Sequence, residues 1–430
     1  MARLDGSTLR KTGAVGLSPT SIIEQLRQRP YHRPDYFLGL VVLALIAVGM
    51  IVIYSTGSIA NFNITGGTSD RNSFFYSQLG NLGIGLVGWW FASRIKYDTW
   101  KKWAPMMLGG SLFLMLLVLV PGLSTHVNGA SRWVKLGFLS FQPAEFLKLS
   151  LVLWLATWLD ANRTKLRSIK NGLLPVMAVL TITAILAIVI QRDMGTGLVL
   201  LSAGLAVFFV SDAPIWIFGI GLSGFVAGAG LLIVVFPYRL ARLASFFNHT
   251  DDVTGADYHI NQALIALGSG GILGRGLGNS LQSYGYLPES TNDSIFAIVG
   301  EQFGLWGTLT VLGLFSVLAW RGLRICRQAP DRLSRMIATG IVVWLTVQAL
   351  INMMAMLSLI PLTGIPLPFI SYGGTSLIAS MVAIGILQNI SRYTEREAAD
   401  ADRTIRRRNR RTPDASASAV SSSPLPSQTI

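Results

Sequence analysis

The sequence predicts an all-α, polytopic integral membrane protein of about ten transmembrane helices, with a large extracytoplasmic loop between helices 7 and 8. Three observations predict it. Hydrophobic residues make up 51% of the 430 positions and charged residues only 13%, about half the charge of an ordinary soluble domain. The apolar residues are gathered into blocks, each close to the roughly 20 helical residues that cross a hydrocarbon core. Lysine and arginine concentrate in alternate connecting segments, as the positive-inside rule requires.

The blocks lie near 36–57, 76–93, 104–121, 142–159, 172–190, 195–211, 213–236, 295–320, 336–358 and 373–391. A polar, basic stretch precedes the first, which reads as a signal-anchor helix rather than a cleaved leader. Little more than Asp212 separates the sixth block from the seventh. An even number of spans places both ends of the chain on one side. With that topology 27 of the 35 Lys and Arg residues fall in the two tails and the even-numbered loops, and that side is the cytoplasm. The expected organisation is a basic cytoplasmic tail at 1–34, a membrane domain at 35–392 with its large outer loop at about 237–294, and a second tail at 393–430. The last runs from an arginine cluster into a Ser/Ala/Pro composition typical of disordered chain.

This distribution accounts for the net charge of +14 without nucleic acid, and no nucleic-acid motif is present. Cys326 is the only cysteine, so no intramolecular disulfide forms. His32, His126, His249 and His259 fall in no HExxH or His/Cys cluster, and no zinc site is expected.

Basic residues on the wrong side of the membrane, and charges inside a span, mark where chemistry is sought. Eight remain: Arg71, Arg132, Lys135, Lys148, Arg192, Arg239, Arg242 and Arg275. In QPAEFLKL at 142–149, Glu145 and Lys148 are three apart and share a helix face. Ionisable groups in a span face a wet cavity or the protein interior, so the pair either lines a polar cavity or fixes helix packing. In NGASRWVKLGFLSF at 128–141, Arg132 and Lys135 can grip a phosphate or meet anionic headgroups, and Trp133 reads as an interfacial anchor. In QRDMGTG at 191–197, Asp193 is placed to cap the next helix, and a role in ordering a cavity or holding a cation stays open.

The outer loop carries more. Arg239 and Arg242 in YRLARL share a face if helical and suit a diphosphate. The glycine run from Gly268 to Gly278 lacks the GK[ST] of a P-loop; it lets backbone bend near a ligand, or serves as a hinge. In YLPESTNDSIFAIVGEQFG at 286–304, Asp293 directly precedes an apolar run, with Glu289 four residues before it and Glu301 eight after. Two readings are open. Asp293 is a helix N-cap and Glu289 a solvated charge, or Asp293 is a general base whose pKa rises at a low-dielectric mouth. In PLTGIPLPFISYGGTS at 361–376, Pro361, Pro366 and Pro368 prevent a regular helix. Irregular backbone at this depth implies a loop bedded in protein or lining a cavity.

Taken in order, NGASRWVKLGFLSFQPAEFLKL, QRDMGTG, YRLARL, QALIALGSGGILGRGLGNS, LPESTNDSIFAIVGEQFG and GIPLPFISYGGTS resemble the SEDS family (shape, elongation, division and sporulation), whose members include RodA and FtsW. The resemblance implies a peptidoglycan glycosyltransferase that polymerises lipid II into β-1,4-linked glycan strands at the outer face of the bacterial cytoplasmic membrane, for elongation or division. Undecaprenyl diphosphate is the implied leaving group. By motif position Asp293 corresponds to the catalytic aspartate, Glu145 and Lys148 to the cavity pair, and Gly373, Gly374 and Ser376 to the late outer motif. Arg132, Lys135, Asp193, Arg239, Arg242, Gln262, Glu289 and Ser371 complete the substrate-binding candidates. The implied partners are lipid II, the nascent strand, a class B penicillin-binding protein and the elongation or division complexes. No cofactor is demanded, although a divalent cation (Mg2+ or Mn2+) would suit the diphosphate. The chain departs from the family pattern in having Arg192 in place of Pro, Ser283 in place of Lys, Thr291 and Asn292 in place of His-Thr, and Ser294 in place of Phe. A lipid II flippase or transporter is the rival expectation, and a non-catalytic scaffold a third.

Overall fold

In lipid, each backbone N–H and C=O has to find its partner within the segment, which leaves the helix as the solution for sequences of this kind. The computed structural model describes residues 33–65, 72–120, 122, 124–127, 130–136, 139–166, 168–214 and 256–393, with isolated positions between 216 and 230. Its helices are α1 (Tyr36–Thr65), α2 (Ser73–Arg94), α3 (Tyr97–Leu117), α4 (Pro143–Ala161), α5 (Leu174–Ile185), α6 (Met194–Phe209), α7 (Ala256–Gly270), α8 (Ile295–Arg327), α9 (Arg332–Met356) and α10 (Gly374–Ser391). Single π-helical turns extend α5 at both ends. Among the described residues five stretches are long and apolar enough to cross a membrane: Tyr36–Gly57, Ile169–Ile190, Ile295–Arg327, Arg332–Met356 and Gly374–Ser391. The apolar block at 213–236 lies for most of its length outside the described residues, as do both tails, Arg239 and Arg242.

Some of the helices start where the sequence supplies a cap or a proline. Asp35 accepts the Leu38 N–H at 3.0 Å ahead of α1, and Pro143 stands at the first turn of α4, where its missing N–H costs nothing. Asp331 and Ser334 form a reciprocal capping box at α9. The core is made by α9, which packs on α6, α8 and α4, and by α2 against α10. Although α2 and α3 are consecutive, α2 takes α10 as its main neighbour and α3 takes α4.

Two features refine the all-helical expectation. Residues ahead of α4 form a small antiparallel sheet, β1 (Ser124–Val127), β2 (Ala130–Leu136) and β3 (Leu139–Phe141), in the order β1-β2-β3. The glycine run after α7 folds back onto α8. There Gly304 has φ 66° inside the helix, Leu305 N–H reaches Gly271 O at 2.9 Å and Gly276 N–H reaches Gln302 O at 3.0 Å. A Cβ at Gly274 would stand 2.2 Å from the Gln302 carbonyl oxygen, so a side chain there is excluded. The glycines provide close backbone packing over a helix break.

Candidate active site

Four helices begin at one end of the bundle, and their first turns are tied together. Gln142, just before α4, donates its N–H to Thr375 Oγ1 in the first turn of α10 at 3.2 Å. The segment before α10 binds the segment before α8: Ser371 Oγ donates to Asn292 O at 2.6 Å, and Tyr372 N–H to Thr291 O at 2.9 Å. The first turn of α6 packs on the proline-rich segment, since a Cβ at Gly195 would meet Thr363 and Ile365. Helix N-termini carry partial positive charge, so this end of the molecule is suited to an anion.

Asp293 sits in the middle of it. The cap position of α8 belongs to Ser294, which makes no side-chain cap. The Asp293 carboxylate is therefore not committed to capping. Asn352 Nδ2 holds the Asp293 backbone carbonyl at 2.7 Å and that of Ile365 at 2.8 Å. Asp293 as a residue keeps some exposure, but its Oδ1 is sealed from solvent and accepts no hydrogen bond. Burial, then the Glu289 carboxylate, push its pKa up from 3.8 to about 7; Arg132 pulls it down and Asp193 adds a small upward push. Such a group is half ionised near neutral pH, the condition for a general base.

Arg132 faces Asp293 across a glycine. A Cβ at Gly364 would lie 3.5 Å from Asp293 Oδ2 and 3.7 Å from Arg132 Nη1. A β-bulge accounts for the placement: the register with β1 steps from Thr125–Trp133 to His126–Ser131, leaving Arg132 as the extra residue, and such a bulge re-aims a side chain. Beyond the bulge Val134 is buried, whereas Lys135 is exposed and pairs with Ser140. Arg132 Nε and Nη2 donate to the carbonyls of Gln191 (3.4 Å) and Arg192 (3.0 Å), so its fork partly holds the turn in front of α6. In that turn Asp193 is a true N-cap: Oδ1 accepts Thr196 N–H and Oδ2 accepts Thr196 Oγ1–H, both at 2.9 Å.

The Glu145–Lys148 pair lies further in. Lys148 Nζ donates to Glu145 Oε1 and to Gln348 Oε1, both at 2.7 Å, and both charged residues are buried. Gln348 donates in turn to Pro366 O at 2.9 Å. Gln348 and Asn352 are four apart, on one face of α9, and together they hold the proline-rich segment against the Asp293 turn. The pair thus ties into the scaffold of the site, while Glu145 Oε2 is buried and makes no hydrogen bond.

The remaining predicted residues divide. Ser371 Oγ accepts Leu367 N–H at 2.7 Å while donating to Asn292 O, which makes it a clasp between loops. Gly373 donates to Gln78 Oε1 at 3.3 Å, and a Cβ at Gly374 would strike Asn81. Ser376 Oγ is buried without a partner. Glu289 is exposed, has φ 49° and accepts from Asn292 Nδ2. Gln262 is half-buried on α7. Glu301 is buried and accepts from Ser280 Oγ and Leu281 N–H, ordering the turn after the glycine run. Among the described residues no three His, Cys, Asp or Glu side chains gather closely enough to hold a metal ion, and no residue is assigned to one. Sequence reasoning missed Gly364, Gln348, Asn352 and His259. Two amides four apart within an apolar block were a legible signal for Gln348 and Asn352; the other two had none.

The fold and site define a class: a polytopic helical membrane protein with a buried carboxylate and an arginine among converging helix N-termini at one end of its bundle. The chain belongs to the FtsW/RodA/SpoVE family, described as cell cycle protein, which it matches over residues 36–396. It is 39% identical over 368 residues to stage V sporulation protein E of Bacillus subtilis, covering 84% of this chain and 98% of that one. It is 38% identical over 374 residues to a probable peptidoglycan glycosyltransferase FtsW of Trichlorobacter lovleyi, covering 85% and 96%. A solved structure titled for the coordination of polymerization and crosslinking by a peptidoglycan synthase complex superposes with a TM-score of 0.67 at 26% identity, covering 84% and 98%. The rod shape determining protein RodA of Thermus thermophilus superposes at 0.59 with 27% identity, covering 84% and 97%.

Proposed function

We propose that this chain is a peptidoglycan glycosyltransferase that polymerises lipid II outside the cytoplasmic membrane, with both termini in the cytoplasm. The observation that carries the reading is the Asp293 carboxylate: uncapped, with Oδ1 sealed, its pKa raised to about 7, and facing a guanidinium across the bare Gly364. Relatives named as probable peptidoglycan glycosyltransferases support it.

In the proposed reaction Asp293 takes the proton from the 4-hydroxyl of the acceptor sugar as that oxygen attacks the anomeric carbon of the donor. The bond to the diphosphate breaks with inversion, and undecaprenyl diphosphate departs carrying the electron pair. Arg132 Nη1 and the four helix N-termini supply fixed positive potential where that charge develops. Arg239 and Arg242 are further candidates for the diphosphate. The undecaprenyl tails remain in the bilayer, with the divergence of α2 and α3 as the candidate place of entry. This confines both substrates and lowers the entropic cost of their meeting. A class B penicillin-binding protein is the proposed partner, in keeping with the synthase complex this fold resembles.

Transport of lipid II is the rival to polymerisation, and the buried Lys148 ammonium held between Glu145 and Gln348 favours a fixed scaffold over a moving charge. Purified protein in vesicles containing labelled lipid II separates the two. Glycan strands from the wild type and none from Asp293→Asn support the polymerase. Movement of lipid II between leaflets without any polymer would overturn it.

A further inference from the structure

His259 is a buried histidine with no part in the mechanism above. It lies in the first turns of α7, on the same face as Ala263 and Ala266, which are fully buried. Its Nε2 stands 2.5 Å from Ser294 Oγ, and Ser294 follows the proposed base directly. The hydroxyl proton of Ser294 is already committed, because Ser294 Oγ donates to Pro288 O at 2.9 Å. Toward His259 that oxygen then accepts, in the tautomer that carries the imidazole proton on Nε2. The resulting chain runs His259 Nε2–H to Ser294 Oγ–H to Pro288 C=O.

This chain closes the turn that carries Asp293. Within it Asn292 N–H and Ser294 N–H both reach Glu289 O, at 2.9 and 3.3 Å. Glu289 has a left-handed φ of 49°, a conformation that persists only where neighbours enforce it. Asn352, Ser371 and Tyr372 hold the carbonyls of Asp293, Asn292 and Thr291 from the α9–α10 side. From the α7 side His259 Nε2 meets Ser294 Oγ.

We propose that His259 is a positioning residue for Asp293, acting through the Ser294 hydroxyl to fix the Pro288–Ser294 turn. The catalytic half of this inference rests on the glycosyltransferase reading; the structural half does not. A misplacement of about 1 Å in a catalytic group lowers rates by up to about a hundredfold.

The test uses full-length protein with His259→Ala, His259→Gln, Ser294→Ala and the His259→Ala/Ser294→Ala pair. Two readouts are taken: lipid II polymerisation kinetics, and amide hydrogen exchange over residues 288–294 followed by mass spectrometry. His259→Ala and Ser294→Ala are each expected to lower kcat by about tenfold to a hundredfold with KM within about twofold. Both should speed exchange in the turn, and the double variant should be no worse than either single one. His259→Gln, which can present an amide N–H, should recover both readouts. Unchanged exchange in His259→Ala, additive losses in the double variant, or a Gln variant as impaired as Ala would overturn the proposal. If His259→Ala fails to fold, Ser294→Ala carries the same predictions. Wild-type protein that makes no polymer yet shows the exchange response would refute the glycosyltransferase reading and still support the turn-fixing role.

Discussion

Replacing Asp293 by Asn should make the protein more stable, and increasingly so as the pH rises. The fold holds this carboxyl at a pKa of about 7 against 3.8 ordinarily, chiefly by burial and secondly through Glu289. Between about pH 4 and pH 7 the folded protein therefore keeps a proton that the unfolded chain has released. Stability falls as the pH climbs through that window, and the full penalty is present above about pH 7. At about 1.4 kcal/mol per tenfold change in proton affinity, the penalty has an upper bound of about 4 kcal/mol. The residue keeps partial solvent contact, so about 2–4 kcal/mol is the working range. An asparagine does not titrate and escapes the penalty. Equilibrium unfolding of wild type and Asp293→Asn in detergent, at about pH 5 and pH 8, reads the difference directly. The variant's advantage should be larger at the higher pH by most of that amount. An advantage that is absent, or identical at both pH values, would show that the carboxylate is not held destabilised for catalysis.

Further expectations follow from the same contacts. Glu289→Gln removes the second-largest upward push on Asp293, so the rising limb of kcat/KM against pH should move below about pH 7; a limb that stays in place would exclude the coupling. Lys148→Met leaves Glu145 buried without its cation and should cost about 3–5 kcal/mol in chemical unfolding, most of it recovered in the Glu145→Gln/Lys148→Met pair. Gly364→Ala forces a side chain onto φ 69°, at about 1–2 kcal/mol, and sets a methyl between Asp293 and Arg132. Polymerisation should fall more than the thermal melt predicts, and a variant active in proportion to its stability would argue against that passage.

How far the sequence reached depended on the kind of signal. Long apolar blocks bounded by charge located most of the described helices, because lipid leaves the backbone little choice, while the block at 213–236 lies largely outside the described residues. The sheet at 124–141 was not foreseen: its strands are short, and NGASRWVKLGFLSF reads equally as loop. Asp193 and Asp293 look alike in sequence, each standing before an apolar helix, yet one caps through both oxygens and the other does not cap. That difference depends on one residue of register, with Ser294 taking the cap position, and on Asn352 arriving from 59 residues away. Charge spacing identified the Glu145–Lys148 pair but not its third member, Gln348, 200 positions later. Gly364 had no sequence signal, because its importance lies in what a side chain there would separate.

Strand synthesis in this chain depends on the carboxyl oxygens of Asp293 in the proposed reaction. Labelled lipid II supplied to purified Asp293→Asn protein, with strands resolved by gel and substrate binding measured in the same preparation, is the direct measurement. The expected result is binding within a few-fold of wild type and a loss of strand synthesis of about 10²–10⁴-fold, the contribution of a general base. Strands accumulating at the wild-type rate would contradict it.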